Sequence, residues 1–193
     1  MSNKFLNSLE DLDSLNLSDF IKFSRRGIEK ENLRSRNCSI SLEDHPKAYG
    51  SSLTNPRITT DFSEALIELV TSPNKDLNNC LKELENIVYF CLKNTDDDFW
   101  PASIPMSIED ESAIPIAEYG HSNSGKLKKL YRIGLSHRYG SMMQTVSGIH
   151  YNFSFDDRLF EEWAKNEGGS LREFKDKKYL SLVRNFRRNA WLI

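Results

Sequence analysis

The chain has 193 residues, enough to bury a core, and its length favours one domain. Its 26 Lys and Arg against 28 Asp and Glu leave a net charge of -2, with none of the overall basic field that draws proteins onto nucleic acid. Three cysteines, Cys38, Cys80 and Cys91, form no C-x-x-C pair and no ligand spacing with a histidine, which argues against a disulfide framework and a structural zinc and points to a reducing compartment.

The first twenty residues, MSNKFLNSLEDLDSLNLSDF, are interrupted by Asp and Glu every few positions. They lack both the apolar stretch of a signal peptide and the acid-poor character of a transit peptide. No run of roughly eighteen apolar residues occurs anywhere, so no membrane span is expected and the cytoplasm is the expected location. No repeat or linker-like stretch divides the chain, so residues 1–193 are expected to be continuous.

The stretch RGIEKENLR, Arg26 to Arg34, sets Glu29 and Glu31 two residues apart. That spacing is poor on a helix, where neighbours lie three or four apart, but on a strand it puts both carboxylates on one face. Adjacent anions there repel unless a cation such as Mg2+ sits between them; the plainer reading is a solvated helix end or exposed strand. Next, RITTDFSEALIELVT between Pro56 and Pro73 is rich in Ile, Thr, Val and Phe and is predicted as one strand, with a helix through DFSEALIEL as the competing reading. As a strand it would place Phe62, Glu64, Leu66, Glu68 and Val70 on one face and Asp61, Ser63, Ala65, Ile67 and Leu69 on the other. Glu68 would then sit among apolar residues, at a rim or holding a cation.

From Leu77, the set Cys80, Leu81, Leu84, Ile87, Val88, Cys91 and Leu92 recurs at three and four, the stripe of an amphipathic helix packed on a core. YGHSNSG, Tyr119 to Gly125, reads as a loop, and LKKLYRIGLSHRYG after it as a helix, with Leu127, Leu130, Tyr131, Gly134 and Leu135 at helical intervals and its basic residues on the wet side. MMQTVSGIHYNFSF alternates through its second half. A strand there packs Ile149, Tyr151, Phe153 and Phe155 on one face and turns Gly148, His150, Asn152 and Ser154, with Gln144 if the register holds, to a polar face. An imidazole in that company is a metal or phosphate neighbour, or simply hydrogen-bonded. Finally, KDKKYLSLVRNFRRNAWLI carries Leu180, Val183, Phe186, Ala190 and Trp191 at helical spacing, still running at Ile193 as if cut from something longer.

Five segments together resemble the bacterial glutamate-cysteine ligase (gamma-glutamylcysteine synthetase) family in its gamma-proteobacterial form. They are RGIEKENLR, HPKAYGSSLTNPRITTDFSEALIELVT, FWPASIPM, YGHSNSGKLKKLYRIGLSHRYG and MQTVSGIHYNF, in the family's order and nearly its spacing from about Arg26 to about Phe153. The resemblance implies an α+β fold: a curved antiparallel sheet like that of glutamine synthetase with helices packed on it, residues 1–193 being the N-terminal part of a single catalytic domain. It implies that Glu29, Glu31 and Glu68, with Asp61 and His150, hold Mg2+ against the phosphates of ATP. It implies further that Tyr131, Leu135 and Gln144, with Phe62, line the pocket for the cysteine substrate. The sequence departs from the family's usual residues at Asn32, where Thr is common, at Asn55, where His is common, and at Glu118, where Gln precedes the YG, the last adding a negative charge near the substrate loop.

The implied reaction joins L-glutamate to L-cysteine, with ATP as co-substrate, through a gamma-glutamyl phosphate, the first step of glutathione synthesis. Positioning and electrostatics carry such phosphoryl transfer, so no covalent nucleophile is assigned and no cysteine has a role. The implied partners are L-glutamate, L-cysteine, ATP and the C-terminal part of the same enzyme, without which the chain is expected to be inactive. Two alternatives remain: a related carboxylate-amine ligase with another amine acceptor, and an inactive truncated module that binds a partner through exposed apolar surface.

Overall fold

Arg25–Arg36 forms a twelve-residue strand, β1, in a computed structural model that describes residues 22–165 and 169–192. The expected absence of a leader in the first twenty residues lies outside the described residues. Five further strands follow: β2 (Ser39–Ile40), β3 (Ile58–Thr60), β4 (Leu66–Val70), β5 (Asp98–Phe99) and β6 (Ile149–Ser154). β2, β4, β5 and β6 all pair with β1, and β3 completes the sheet through β4. The pairings of β1 with β2, β4 and β5, and of β3 with β4, are antiparallel. With α1 (Leu77–Lys93), α2 (Asn123–Tyr139), α3 (Asp157–Ala164) and α4 (Leu171–Asn189), the class is the α+β one expected.

The segment predicted as one strand from Arg57 to Thr71 is instead the hairpin β3–β4, and the competing helix does not form. Ser63 makes the reversal: its carbonyl accepts from Leu66 N at 2.9 Å and its hydroxyl from Ala65 N at 3.2 Å. A serine that satisfies backbone amides two and three residues on favours a turn over an extended run. Phe62 and Glu64 therefore leave the face of Glu68. Glu64 is buried in the turn region, and its two carboxylate oxygens accept from His45 N at 3.0 Å and Glu118 N at 2.7 Å.

Residues 26–152 form one compact unit. Its core gathers Ile67 and Leu69 of β4, Ile58, Tyr49, and Leu84 and Cys91 of α1, with Ile28, Ile87 and Val88 packed against them. Each fully buried aliphatic side chain contributes roughly 1.5–3 kcal/mol. α1 starts where Asp76 accepts from Asn79 N at 2.9 Å, and its predicted stripe is the buried one, except that Leu81 and Leu92 stay exposed. The sheet face away from Ile67 and Leu69 carries Leu33 and Leu66, buried in a second cluster with Ala65 and Met106, and beside them Glu31 and Glu68, which stand directly opposite each other across β1 and β4.

Two faces differ from expectation. α2 begins at Asn123, before Gly125, because Ser122 caps it by accepting from Gly125 N at 3.1 Å. Gly125 is required there: a Cβ would lie 2.4 Å from the Tyr119 carbonyl. Its predicted inner stripe points outward, with Leu127, Leu130 and Tyr131 all exposed. The basic side packs inward, Arg132 and Lys128 lying 4.6 and 4.9 Å from the centroid of the Tyr119 ring, because that buried ring offers cations a flat face. In β6 the apolar residues Ile149, Tyr151 and Phe153 are exposed rather than packed, and Gln144 lies outside the strand, in a 3-10 turn over Met142–Thr145.

The second unit joins residues up to Arg25 to Phe153 and beyond. Leu159, Phe160 and Phe174 are buried there; Phe160 meets Tyr179 at 5.3 Å, and Trp163 stands edge-on to Phe174 at 5.7 Å. Ser170 and Glu173 form a capping box at the start of α4, whose Leu180, Val183 and Phe186 are exposed. The helix stops at Asn189 and a 3-10 turn covers Ala190–Leu192, while Ile193 lies outside the described residues. Among the described residues no helix is long and apolar enough to cross a membrane, and Cys38, Cys80 and Cys91 are free thiols.

Candidate metal and substrate site

β1 puts Glu29 and Glu31 on one face, as the two-residue spacing predicts for a strand. β4 brings Glu68 opposite Glu31, and β6 contributes His150. One ligand atom each from Glu29, Glu68 and His150 lie within 4.8 Å of one another, close enough to share a cation. His150 Nδ1 is 3.1 Å from Glu29 Oε2, and Asn152 Nδ2 donates to Glu29 Oε1 at 2.7 Å. The strand alternation that put His150 and Asn152 on one polar face is thus realised at Glu29.

The other two predicted acids have partners of their own. Glu31, almost wholly buried, accepts from Gly148 N through Oε2 at 2.6 Å, while its own amide donates to the Gly148 carbonyl at 3.0 Å. Asp61, at the end of β3, has its carboxylate 3.8 Å from Arg132, and Arg132 Nε donates to the Asp61 carbonyl.

Crowding of carboxylates is visible in the electrostatics. Glu68 is pushed up to about 7, first by burial and then by the charges of Asp61, Glu29 and Glu31, with His150 opposing. His150 is raised above the ordinary histidine value, chiefly by its hydrogen bond to Glu29. A divalent cation among these groups would remove the repulsion. Two carboxylates and an imidazole suit an oxygen-seeking ion such as Mg2+ or the more nitrogen-tolerant Mn2+, so the donor set fits.

The predicted substrate residues spread over several elements. Tyr131 and Leu135 belong to α2, Tyr131 exposed and Leu135 half-buried, and Gln144 lies half-buried in the 3-10 turn that neighbours α2. Phe62 is only 1% exposed, in the β3–β4 connection, where its carbonyl accepts from Ala117 N at 3.0 Å. A cavity of about 560 Å3 is lined by Glu64, Glu118, His121, Lys126 and Lys129 among others, and Tyr131, Leu135, Gln144 and Phe62 are not in its lining. The charge that Glu118 adds is met there by an ion pair with Lys129.

Sequence reasoning gave no role to Asn152, Gly148 or Arg132. Asn152 was legible through the strand alternation. The others were not, because a glycine amide and a basic helix face carry no signal until the tertiary structure sets their neighbours.

The sequence matches the family profile described as Glutamate-cysteine ligase over residues 9–193. It is 47% identical over 172 residues to a glutamate-cysteine ligase of Saccharophagus degradans, covering 87% of this chain and 32% of that protein. A glutamate-cysteine ligase of Pseudoalteromonas translucida is 44% identical over 191 residues, covering 97% of this chain and 36% of the relative. Among solved structures, a glutamate-cysteine ligase from Francisella tularensis in complex with AMP superposes with a TM-score of 0.81 at 41% identity, covering 88% of this chain and 34% of that one. A bifunctional glutathione synthetase from Pasteurella multocida gives 0.80 at 29% identity, covering 96% of this chain and 24% of that one. The chain thus spans about a third of the length of the curated relatives it matches. With a profile match over nearly its whole length and relatives above 40% identity, the chain belongs to the glutamate-cysteine ligase family.

Proposed function

We propose that this chain supplies the N-terminal part of the catalytic domain of an ATP-dependent ligase. That enzyme joins the gamma-carboxylate of L-glutamate to the amine of L-cysteine, in the cytoplasm, as the first step of glutathione synthesis. The observation that carries the reading is the convergence of Glu29, Glu68 and His150 from three strands in a chain of this family. The AMP bound to the Francisella relative supports a nucleotide as co-substrate.

In this reading Glu29, Glu68 and His150 would hold Mg2+, with Glu31 and Asp61 adding negative charge around it. When bound, Mg2+ would neutralise charge on the transferring phosphoryl group and fix the line of attack. A gamma-carboxylate oxygen of glutamate bonds to the terminal phosphorus of ATP as the bond to ADP breaks. The cysteine nitrogen then bonds to the acyl carbon of the gamma-carboxyl group, the bond from that carbon to the phosphate oxygen breaks, and the amine gives up a proton. Tyr131, Leu135 and Gln144, with Phe62, shape the cysteine pocket and bring the amine to the acyl carbon, where orientation is worth a large part of the barrier.

The exposed apolar residues of α2 and β6, Leu127, Leu130, Tyr131, Ile149 and Tyr151, support a partner in the remaining two thirds of a family-length chain, which would cover them and complete the site. The test is ADP release with Mg-ATP, L-glutamate and L-cysteine, by the chain alone and by the chain joined to the C-terminal two thirds of a relative. Activity only in the joined protein is the expected result. Silence of the joined protein with cysteine but turnover with 2-aminobutyrate or glycine would move the assignment to another amine acceptor, and silence with every amine would overturn it.

A further inference from the structure

We propose that Asn152 is a positioning residue for the metal-holding group: its side-chain amide clamps Glu29 so that the other Glu29 oxygen orients the His150 ring. The inference rests on the metal reading of the cluster given above and adds a residue to it. Asn152 Nδ2 donates to Glu29 Oε1 at 2.7 Å, and Glu29 Oε2 lies 3.1 Å from His150 Nδ1. One carboxylate thus bridges two side chains of the same strand, and an exposed imidazole that would otherwise rotate freely is held at one nitrogen. A neutral ring in this arrangement carries its proton on Nδ1 and leaves the Nε2 lone pair open.

The direction of that lone pair is read against Gly148, the residue just before β6. The place a Cβ on Gly148 would take is 3.3 Å from both His150 Nε2 and Glu31 Oε2, so Nε2 faces the region bounded by Glu31. Gly148 in turn is fixed by its two hydrogen bonds with Glu31. The chain entering β6 therefore reaches β1 through the Gly148 backbone at Glu31 and through His150 and Asn152 of β6 at Glu29. Asn is suited to the outer position because it donates without adding charge; Asp there would place another anion against Glu29. Outer partners that orient a ligand in this way typically change metal affinity ~10-fold to 100-fold when removed.

The test compares the 193-residue chain with Asn152→Ala and Asn152→Asp by two readouts. The first is Mn2+ binding by calorimetry. The second is the nitrogen chemical shifts of the His150 ring without metal, which report the tautomer directly. Because Asn152 is exposed, both variants should keep the thermal unfolding midpoint of the parent. The expected result is Mn2+ affinity weakened about 10-fold in Asn152→Ala and further in Asn152→Asp. The ring should change from a single Nδ1–H tautomer in the parent to a mixture in both variants. Unchanged ring shifts in Asn152→Ala would overturn the positioning role, whatever the metal does. A parent chain that binds no Mn2+, while its ring shifts still answer to Asn152→Ala, would overturn the metal reading and leave the clamp standing.

Discussion

The two halves of β1 carry opposite kinds of charge cluster. Toward its C-terminal end Arg34 is fully buried, donating to Asp97 at 2.6 Å and to the carbonyls of Glu43 and Glu64 at 2.7 and 3.0 Å. Asp97 also accepts from Ser41 at 2.6 Å and from Arg36 at 2.9 Å. Toward the N-terminal end, Glu29, Glu31 and Glu68 gather with a single histidine, and Glu68 is driven up to about 7. Charges that balance within the protein make a structural brace; charges left unbalanced make a site that calls for a ligand.

Breaking the brace should produce the largest effect. Asp97→Ala leaves Arg34 buried without its carboxylate and should lower stability by about 3–5 kcal/mol in urea unfolding. A loss under about 1 kcal/mol would mean that the surrounding carbonyls alone satisfy the guanidinium.

At the other cluster the sign reverses. Glu68 is raised in the fold above its ordinary 4.5, so its favourable contribution is complete below about pH 4.5 and is lost as pH rises through about 7. Glu68→Gln should therefore stabilise the metal-free chain at pH 8 by about 1–2 kcal/mol, after allowing for solvent screening of a partly exposed carboxyl. The gain should fade toward pH 4 and disappear when Mg2+ or Mn2+ is added to the parent. Thermal unfolding across that pH range would check it, and a gain independent of pH would point to packing instead of charge.

A smaller effect is expected at the backbone beside the acidic cluster. Gly148→Ala would press a methyl group against Glu31 Oε2 and His150 Nε2, each 3.3 Å away, and should lower stability by about 1 kcal/mol while weakening Mn2+ binding in calorimetry. Least of all should come from Lys129→Ala. Its pair with Glu118 is solvent-exposed, so urea unfolding should change by less than about 0.5 kcal/mol.

Short-range pattern was enough for several features. The two-residue step of Glu29 and Glu31 marked a strand face, the three-and-four recurrence from Cys80 to Cys91 marked α1, and alternation around His150 marked the polar side that Asn152 shares. Such periodicities are legible because each residue's direction follows from backbone geometry alone. Linked motifs added the family, which the profile and the relatives show.

What only the tertiary structure decided was which neighbour each face meets. A serine turn split one predicted strand into β3 and β4 and sent Glu64 away from Glu68 to hold two backbone amides. The buried ring of Tyr119 drew the basic side of α2 inward and left Leu127 and Tyr131 outside. Strand pairing set Glu68 opposite Glu31, thirty-seven positions away in sequence, and brought His150 across to Glu29. Local sequence sets which way a side chain points, but hydrogen bonding and charge between distant segments choose what it points at.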